Sequence, residues 1–239
     1  MNNIIFFSDI DDTLIYSKRK IDFTKDIVIG AYDKNNQPYS YFYKETKLLI
    51  DLLINAGIIF IPNTARNLES YKRTVFYKDN KIRYAILNFG ATILVDNKID
   101  KEWNNHIINL YKDIDLNHIL DDIQQYFSFN IDIKIVDNYY ISIHNRYFKG
   151  EKNIYLQIHA IVKKFIKHKP FDIYINTDSV AIFPNFIGKE KATQFLISKL
   201  NPNLIIGAGD SKSDINFINL SDLAIFPTKS NILQDLPFK

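Results

Sequence analysis

The chain has 239 residues, a formal net charge of +3 and a hydrophobic content of 46%. These values are typical of a globular protein with either one large domain or one domain carrying an insert, and they exclude a disordered chain. Since the sequence contains no cysteine, disulfide frameworks, thiol nucleophiles and thiolate zinc sites are excluded as well.

The distribution of charged and apolar residues favours neither a nucleic-acid nor a membrane partner. Basic and acidic residues are interspersed along the chain. No stretch approaches the ~18 apolar residues of a membrane span, and the first residues do not resemble a signal peptide. We therefore expect a cytoplasmic protein that binds neither nucleic acid nor membranes.

The first part of the chain alternates short apolar runs with helical patterns. The unalternating apolar run at 4–7 predicts a strand that is buried on both faces. The same reasoning, with helical spacing and turn residues, predicts a hairpin of 27–31 with 39–43, a helix at 44–56, a strand at 58–61, a helix at 67–77 and a strand at 84–87.

The middle of the chain has a different pattern, and the last part returns to the first one. Paired strands between helices indicate a separate α+β unit, with helices in 101–126, strands at 131–136 and 139–147, a helix at 151–167 and strands at 172–176 and 180–183. Alternating elements then follow, with a helix at 190–200, a strand at 204–206, a helix at 214–220 and a strand at 223–226.

These patterns predict an α/β fold with an insertion. Residues 1–88 and 185–239 are expected to form a Rossmann-like core with a parallel sheet, and residues 89–184 an inserted α+β domain.

Polar clusters follow three of the predicted core strands. Asp9, Asp11 and Asp12 follow the first strand, Thr64 follows a second, and the segment 209–214 follows a third. Each cluster alone is typical of a turn or a helix cap. Because ligands bind at the carboxyl ends of the strands in open α/β sheets, we expect the three clusters to meet at one edge.

The chemistry of these clusters predicts a cation and a phosphate. Asp9, Asp11, Asp210 and Asp214 would bring together carboxylates whose repulsion, at ~4 Å, amounts to several kcal/mol near a protein surface. A donor set made of oxygen atoms selects a hard cation, for which Mg²⁺ is the leading candidate. A carboxylate can attack phosphorus, with Thr64 and Lys189 as donors to the phosphoryl oxygens.

The same residues resemble the motifs of the haloacid dehalogenase (HAD) superfamily of phosphohydrolases. Segment 9–14, Thr64, Lys189 and segment 209–214 match its four motifs in order. The position of the insert resembles subclass IIB, which has a large α/β cap and includes sucrose-phosphatase-like and Cof-like members. Lys191 competes with Lys189 for the third motif, but a preceding glycine favours Lys189.

Two segments depart from that pattern. Asn88-Phe89-Gly90-Ala91 resembles the Asn-Gly-Ala of the subclass with Phe89 added, and Thr64-Ala65-Arg66 replaces the usual Thr-Gly-Arg.

The resemblance implies a role for each matching residue. Asp9 would be the nucleophile, and Asp11 the general acid and base whose backbone carbonyl also binds Mg²⁺. Asp214 would bind the ion directly or through water. In full, the implied catalytic set is Asp9, Asp11, Thr64 and Lys189, the metal set is Asp9, Asp11, Asp210 and Asp214, and the phosphate set is Asp12, by its backbone N–H, with Thr64 and Lys189.

The resemblance also implies that residues of the inserted domain determine the substrate specificity. Side chains at 140, 142, 144 and 146 alternate onto one face of a strand, and this face either meets the substrate or is simply solvated. The candidates for substrate specificity are His144 and Arg146 on this strand, and Arg66.

The sequence therefore predicts a Mg²⁺-dependent phosphatase that hydrolyses a small phosphomonoester, such as a sugar phosphate, through an aspartyl phosphate. A phosphomutase and a phospho-accepting signalling module remain open as alternatives. A small phosphorylated molecule is the expected partner, and a monomer or a homodimer the expected assembly.

Overall fold

The computed structural model describes residues 3–127, 131–144, 152–175 and 179–234. The chain divides into two compact units. The core unit consists of Met1–Asn105 with Gly188–Lys239, and the inserted unit of His106–Ile187.

The elements of the described residues are numbered here in chain order. The strands are β1 (Ile4–Ser8), β2 (Tyr16–Ser17), β3 (Ile27–Tyr32), β4 (Pro38–Tyr43), β5 (Ile59–Pro62), β6 (Tyr84–Leu87), β7 (Thr92–Val95), β8 (Lys98–Ile99), β9 (Asp132–Val136), β10 (Tyr140–His144), β11 (Phe171–Ile175), β12 (Ser179–Pro184), β13 (Leu204–Ala208) and β14 (Leu223–Ile225). The helices are α1 (Lys44–Asn55), α2 (Leu68–Tyr71), α3 (Val75–Lys78), α4 (Lys101–Leu110), α5 (Leu116–Gln124), α6 (Lys152–Ile166), α7 (Lys189–Leu200), α8 (Ile215–Ile218) and α9 (Asn231–Gln234).

A parallel sheet with the strand order β14-β13-β1-β5 forms the centre of the core unit. Strand β1 pairs in parallel with both β13 and β5. Ile5, Phe6 and Phe7 of β1 are all buried, which confirms the prediction of a strand covered on both faces. The sheet also confirms the predicted α/β class.

The predicted hairpin is present, and it is anchored in the hydrophobic core. Strands β3 and β4 pair antiparallel, and β2 pairs with β4. Phe42 of β4 is fully buried, and its ring lies 5.5 Å from that of Phe76. The predicted single helix at 67–77 is instead the two short helices α2 and α3, because Thr74 starts a new helix by accepting a hydrogen bond from the N–H of Tyr77.

The first boundary of the inserted unit lies later in the chain than residue 89. Strands β6, β7 and β8 form one antiparallel sheet, which keeps the residues that follow β6 in the core unit. The connection back to the core lies at Gly188 rather than at residue 185.

The inserted unit is an antiparallel sheet covered by helices, as predicted. Its strand order is β11-β12-β10-β9. Ile141 and Ile143 of β10 pack in one apolar cluster with Ile123 of α5 and Val162 of α6, which places these helices on the same face of the sheet.

Among the helices of the described residues, none is both long enough and apolar enough to cross a membrane.

Candidate active site

The carboxyl ends of the core strands bring the predicted clusters together. Asp9 directly follows β1, and its N–H donates a hydrogen bond to the carbonyl of Ala208 at the end of β13 (2.9 Å). Beside it, the N–H of Asn63 donates to the carbonyl of Ser8 (2.7 Å), so that Thr64 follows at the same edge. This edge is the one where parallel α/β sheets bind ligands.

Three buried carboxylates form the centre of the site. Asp9 is 7% exposed, Asp210 is 9% exposed and Asp214 is fully buried. Carboxylate oxygens of the three lie within 4.8 Å of one another. The hydroxyl group of Thr13 lies 3.3 Å from Asp9 Oδ2 and 3.3 Å from Asp210 Oδ1, and thereby connects two of them.

Lys189 is the cation that pairs with this cluster. Its Nζ donates to Asp9 Oδ1 at 2.6 Å and to Asp214 Oδ1 at 2.7 Å, and the side chain is almost fully buried. Lys191, the competing candidate from the sequence, is exposed.

The start of α7 is held in place by a buried chain of hydrogen bonds. Thr193 donates its hydroxyl hydrogen to the carbonyl of Lys189 (2.8 Å), and Asn63 donates to the hydroxyl oxygen of Thr193 (3.0 Å). The turn after β6 also packs here, since a Cβ on Gly90, which has a φ of +100°, would lie 2.2 Å from the carbonyl oxygen of Gly188. The backbone at Lys189 is therefore held both by α7 and by the turn after β6.

Asp214 is nearly saturated by donors from the protein. Its Oδ2 accepts hydrogen bonds from the N–H groups of Asp210 (3.2 Å) and Ser211 (3.0 Å) and from the Ser211 hydroxyl (2.9 Å). A Cβ on Gly209 would lie 2.5 Å from the Cβ of Asp214, so this close approach requires glycine. Asp214 thus anchors the loop as well as the lysine.

Burial and mutual repulsion perturb the titration of the cluster. Burial raises the pKa of Asp9 well above its ordinary value, Lys189 lowers it, and the carboxylates of Asp214, Asp210 and Asp11 raise it further. Burial, and then Asp214, raise the pKa of Asp210 to about 7. Burial lowers the pKa of Lys189, but Asp214 and Asp9 outweigh burial and raise it overall.

The donor set fits a hard divalent cation. Lys189 contacts two of the three carboxylates, so the cluster has more acidic than basic groups in a buried place. Burial first, and then the neighbouring carboxylates, raise the pKa values of Asp9 and Asp210. A cation held by oxygen atoms would offset the charge of these carboxylates, and Mg²⁺ and Ca²⁺ are the ions that prefer such ligands.

Thr64 and Asp11 lie beside this cluster. Thr64 is buried, and its Oγ1 accepts a hydrogen bond from the N–H of Arg66 (3.1 Å), so its own hydroxyl hydrogen can donate to a ligand. The carboxylate of Asp11 is paired with the guanidinium group of Arg66 through two hydrogen bonds of 2.7 Å each. Arg66, predicted as a specificity residue, therefore contacts a predicted catalytic carboxylate.

Asp12 differs from its predicted role. Its backbone lies in the left-handed region with a φ of 61°, and its N–H donates to the carbonyl of Ile15 (2.8 Å). The hydrogen bond that we expected this N–H to make with a phosphate is thus already made within the turn. Its side chain pairs with the exposed Lys20 at 2.5 Å.

The two predicted specificity residues of the inserted unit have different outcomes. His144 ends β10 and is half-buried, with its Nε2 lying 3.0 Å from the hydroxyl oxygen of Ser142 on the same strand face. Arg146 lies outside the described residues.

Sequence reasoning gave no role to three residues of the site. Thr13 carried a local signal, since a hydroxyl group four residues after Asp9 can turn back to the strand end. Asn63 and Thr193 carried none, because they are separated by 130 positions along the chain.

The comparison with known families agrees with this geometry. The model of the sucrose-6F-phosphate phosphohydrolase family matches residues 2–226. The chain belongs to this family. It is therefore a HAD-superfamily phosphatase of the Cof-like type, that is, a phosphoric monoester hydrolase. A search among curated proteins finds no match.

Solved structures share the fold at low sequence identity. They include sucrose-phosphatase from Synechocystis sp. in complex with sucrose and phosphate, which is 16% identical with a TM-score of 0.61 over 92% of this chain and 80% of that chain. The trehalose-6-phosphate phosphatase C-terminal domain of C. albicans is 14% identical, with a TM-score of 0.63 over 91% and 73% of the chains. The IMP-nucleotidase of Plasmodium falciparum is 14% identical, with a TM-score of 0.54 over 95% and 58%.

The raised pKa of Asp210 generates a prediction about stability in the absence of metal. Since its pKa rises from 3.8 to about 7 on folding, the folded chain binds this proton more tightly than the unfolded chain, and the resulting stabilisation is lost as the pH rises through about 7. Asp210→Asn keeps the shape without the charge. In EDTA, the urea midpoint of the variant relative to that of the wild type should increase from about pH 4 to about pH 7, so that its excess is clearly larger near about pH 8 than near about pH 5.

The matched control is Asp96→Asn, because Asp96 is exposed and Arg83 lowers its pKa. That variant should show no gain at high pH. A difference between Asp210→Asn and the wild type that stays constant with pH would contradict the assignment of a buried, uncompensated charge to Asp210.

Proposed function

We propose that this protein is a Mg²⁺-dependent phosphatase that hydrolyses a sugar phosphate through an aspartyl-phosphate intermediate on Asp9. The observation that carries this proposal is the buried cluster of Asp9, Asp210 and Asp214 with Lys189 at the carboxyl edge of a parallel sheet.

Asp9 is the residue best placed to act as the nucleophile. It sits at the centre of the cluster, and its two oxygens contact different partners, Lys189 at Oδ1 and Thr13 at Oδ2. Since burial favours the protonated form, a nearby cation is needed to keep the carboxylate ionised, and Lys189 contributes that charge.

Mg²⁺ would be held by Asp9, Asp210 and the backbone carbonyl of Asp11. Asp214 would join them directly or through water, and its near-saturation by protein donors favours the contact through water. When bound, the ion supplies the positive charge that offsets the repulsion between the Asp9 carboxylate and the phosphate dianion.

The phosphoryl oxygens would be held by donors of the core unit. Thr64 can donate its hydroxyl hydrogen, because its oxygen already accepts from Arg66. Lys189 neutralises charge on the transferring group, and the N–H groups of Ile10 and Asp11, in the turn after Asp9, complete the set.

Asp11 would transfer the protons of both steps. In the first step, an Asp9 oxygen forms a bond to phosphorus, the bond from phosphorus to the ester oxygen breaks, and Asp11 gives its proton to that oxygen. In the second step, Asp11 takes a proton from water, the water oxygen attacks phosphorus, and the bond to Asp9 breaks to release phosphate.

The substrate class rests on the family and on two of the solved relatives. The family name specifies sucrose-6F-phosphate, and two relatives are a sucrose-phosphatase and a trehalose-6-phosphate phosphatase. The fold also serves an IMP-nucleotidase, so the fold alone does not select a sugar.

Asp9→Asn should abolish turnover while leaving the fold intact, because an amide cannot attack phosphorus. We expect a loss of at least about 10³-fold in kcat for release of inorganic phosphate. Asp51→Asn, a change in the partly exposed pair with Lys47, is the control and should keep the wild-type rate. A rate near that of the wild type in Asp9→Asn would remove the nucleophile assignment.

Removal of divalent ions with EDTA should stop phosphate release, and Mg²⁺ should restore it, because the cluster repels a phosphate dianion. Titration of Mg²⁺ should also raise the melting temperature of the wild type, and this rise should be much smaller for Asp210→Asn. Full activity in a sample shown to be free of metal would exclude this ion from the reaction.

A panel of phosphomonoesters should identify the leaving group. It should contain sucrose 6-phosphate, trehalose 6-phosphate, glucose 6-phosphate, glycerol phosphate and IMP, with phosphate release and isomer formation both measured. We expect the largest kcat/KM for a sugar phosphate. A larger value for IMP would exclude the sugar assignment, and isomer without free phosphate would indicate a mutase.

A further inference from the structure

The guanidinium group of Arg66 donates two hydrogen bonds to Asp11, one to each carboxylate oxygen. Nε donates to Oδ2 and Nη2 to Oδ1, at 2.7 Å each. This geometry fixes the position and the plane of a carboxylate more firmly than a single hydrogen bond, because rotation about its last bond breaks one contact.

Arg66 is itself held from several directions. Its Nη1 lies 3.4 Å from the carbonyl oxygen of Ser70 and 3.3 Å from the hydroxyl oxygen of the same residue in α2. Its N–H donates to Thr64 Oγ1, and its carbonyl accepts from the N–H of Asn88. The backbone of Arg66 is therefore tied to Thr64 and Asn88 at the strand ends, and its side chain is tied to α2.

The two partners differ in their exposure. The Arg66 side chain is 11% exposed, whereas that of Asp11 is 47% exposed. The guanidinium group is thus shielded by the protein, while the carboxylate can reach a ligand. Each oxygen of Asp11 uses one lone pair for Arg66, and a second lone pair on each remains for a proton or a water molecule.

We propose that Arg66 is a positioning residue that sets the place of the Asp11 carboxylate for proton transfer to the ester oxygen. This role rests on the proposed function of Asp11. It differs from the substrate contact that the sequence indicated for Arg66, since it acts through Asp11 and does not require contact with the leaving group.

The role predicts a dependence on the leaving group. A sugar alkoxide needs a proton when its bond to phosphorus breaks, whereas p-nitrophenolate leaves without one. Loss of the hydrogen bonds from Arg66 to Asp11 should therefore lower kcat/KM far more for the sugar phosphate than for the aryl phosphate. The parameter kcat/KM reports the first chemical step for both substrates, and so it is unaffected by slow hydrolysis of the intermediate.

The experiment measures kcat/KM for p-nitrophenyl phosphate and for the best alkyl phosphate of the panel above, with Mg²⁺ present. Arg66→Gln should lower the value for the alkyl phosphate by about 10²-fold and that for the aryl phosphate by no more than about fivefold. Arg66→Lys keeps the positive charge but cannot make the two parallel hydrogen bonds, so its kcat/KM for the alkyl phosphate should lie between those of the wild type and Arg66→Gln.

The matched control is Arg83→Gln. Arg83 makes the same kind of two-point contact with Asp96, at 3.0 and 3.2 Å, on the surface of the core unit. This variant should keep wild-type values for both substrates. If Arg66→Gln does not fold, Arg66→Lys supplies the same comparison.

A double-mutant cycle shows whether Arg66 acts through Asp11. In an Asp11→Asn background, Arg66→Gln should lower kcat/KM for the alkyl phosphate by no more than about twofold further. A large further loss, or equal losses for the aryl and alkyl substrates in the wild-type background, would overturn the positioning role while leaving the phosphatase proposal intact. A wild-type protein that hydrolyses neither substrate would overturn both.

Discussion

The candidate active site holds three buried carboxylates together, and the structure around it depends on this constraint. Asp9, Asp210 and Asp214 come from two strand ends that are far apart in the chain, and their charges repel one another. Lys189 offsets part of this repulsion by direct contact with two of them. Three further features hold these charged groups in place. They are the close packing at Gly90 and Gly209, the cap that Asp214 forms with Ser211, and the hydrogen bond between Asn63 and Thr193.

The excess charge explains why this arrangement suits phosphoryl transfer. A buried cluster with more acidic than basic groups attracts a divalent ion, and an ion held by few carboxylates has positions left for phosphate oxygens. Asp11 is more exposed than these three residues and is paired with Arg66. The three carboxylates that we propose as metal ligands are thus distinct from the carboxylate that we propose for proton transfer.

Much of the core unit could be predicted because local signals agree with the global fold. The apolar run at β1 reports a strand covered on both faces, and the polar residues after β1, β5 and β13 report the ligand edge. The prediction of one helix at 67–77 was wrong because the sequence pattern does not distinguish a threonine on a helix surface from one that caps a new helix, as Thr74 does. The compact units divide after Asn105 rather than at residue 89, because the pairing of β6 with β7, through a turn with left-handed Asn88 and Phe89, keeps β7 in the core unit.

The sequence by itself determined which groups the protein has for chemistry: carboxylates, a threonine and a lysine at strand ends and a helix start, with no thiol. Only the tertiary structure decided their partners. The pairing of Arg66 with Asp11, the use of the Asp12 N–H within its own turn, and the contacts of Lys189 with Asp9 and Asp214 each depend on distances of a few ångströms. Local patterns specify the direction of the chain over a few residues, whereas such distances arise from packing between segments that are remote in sequence.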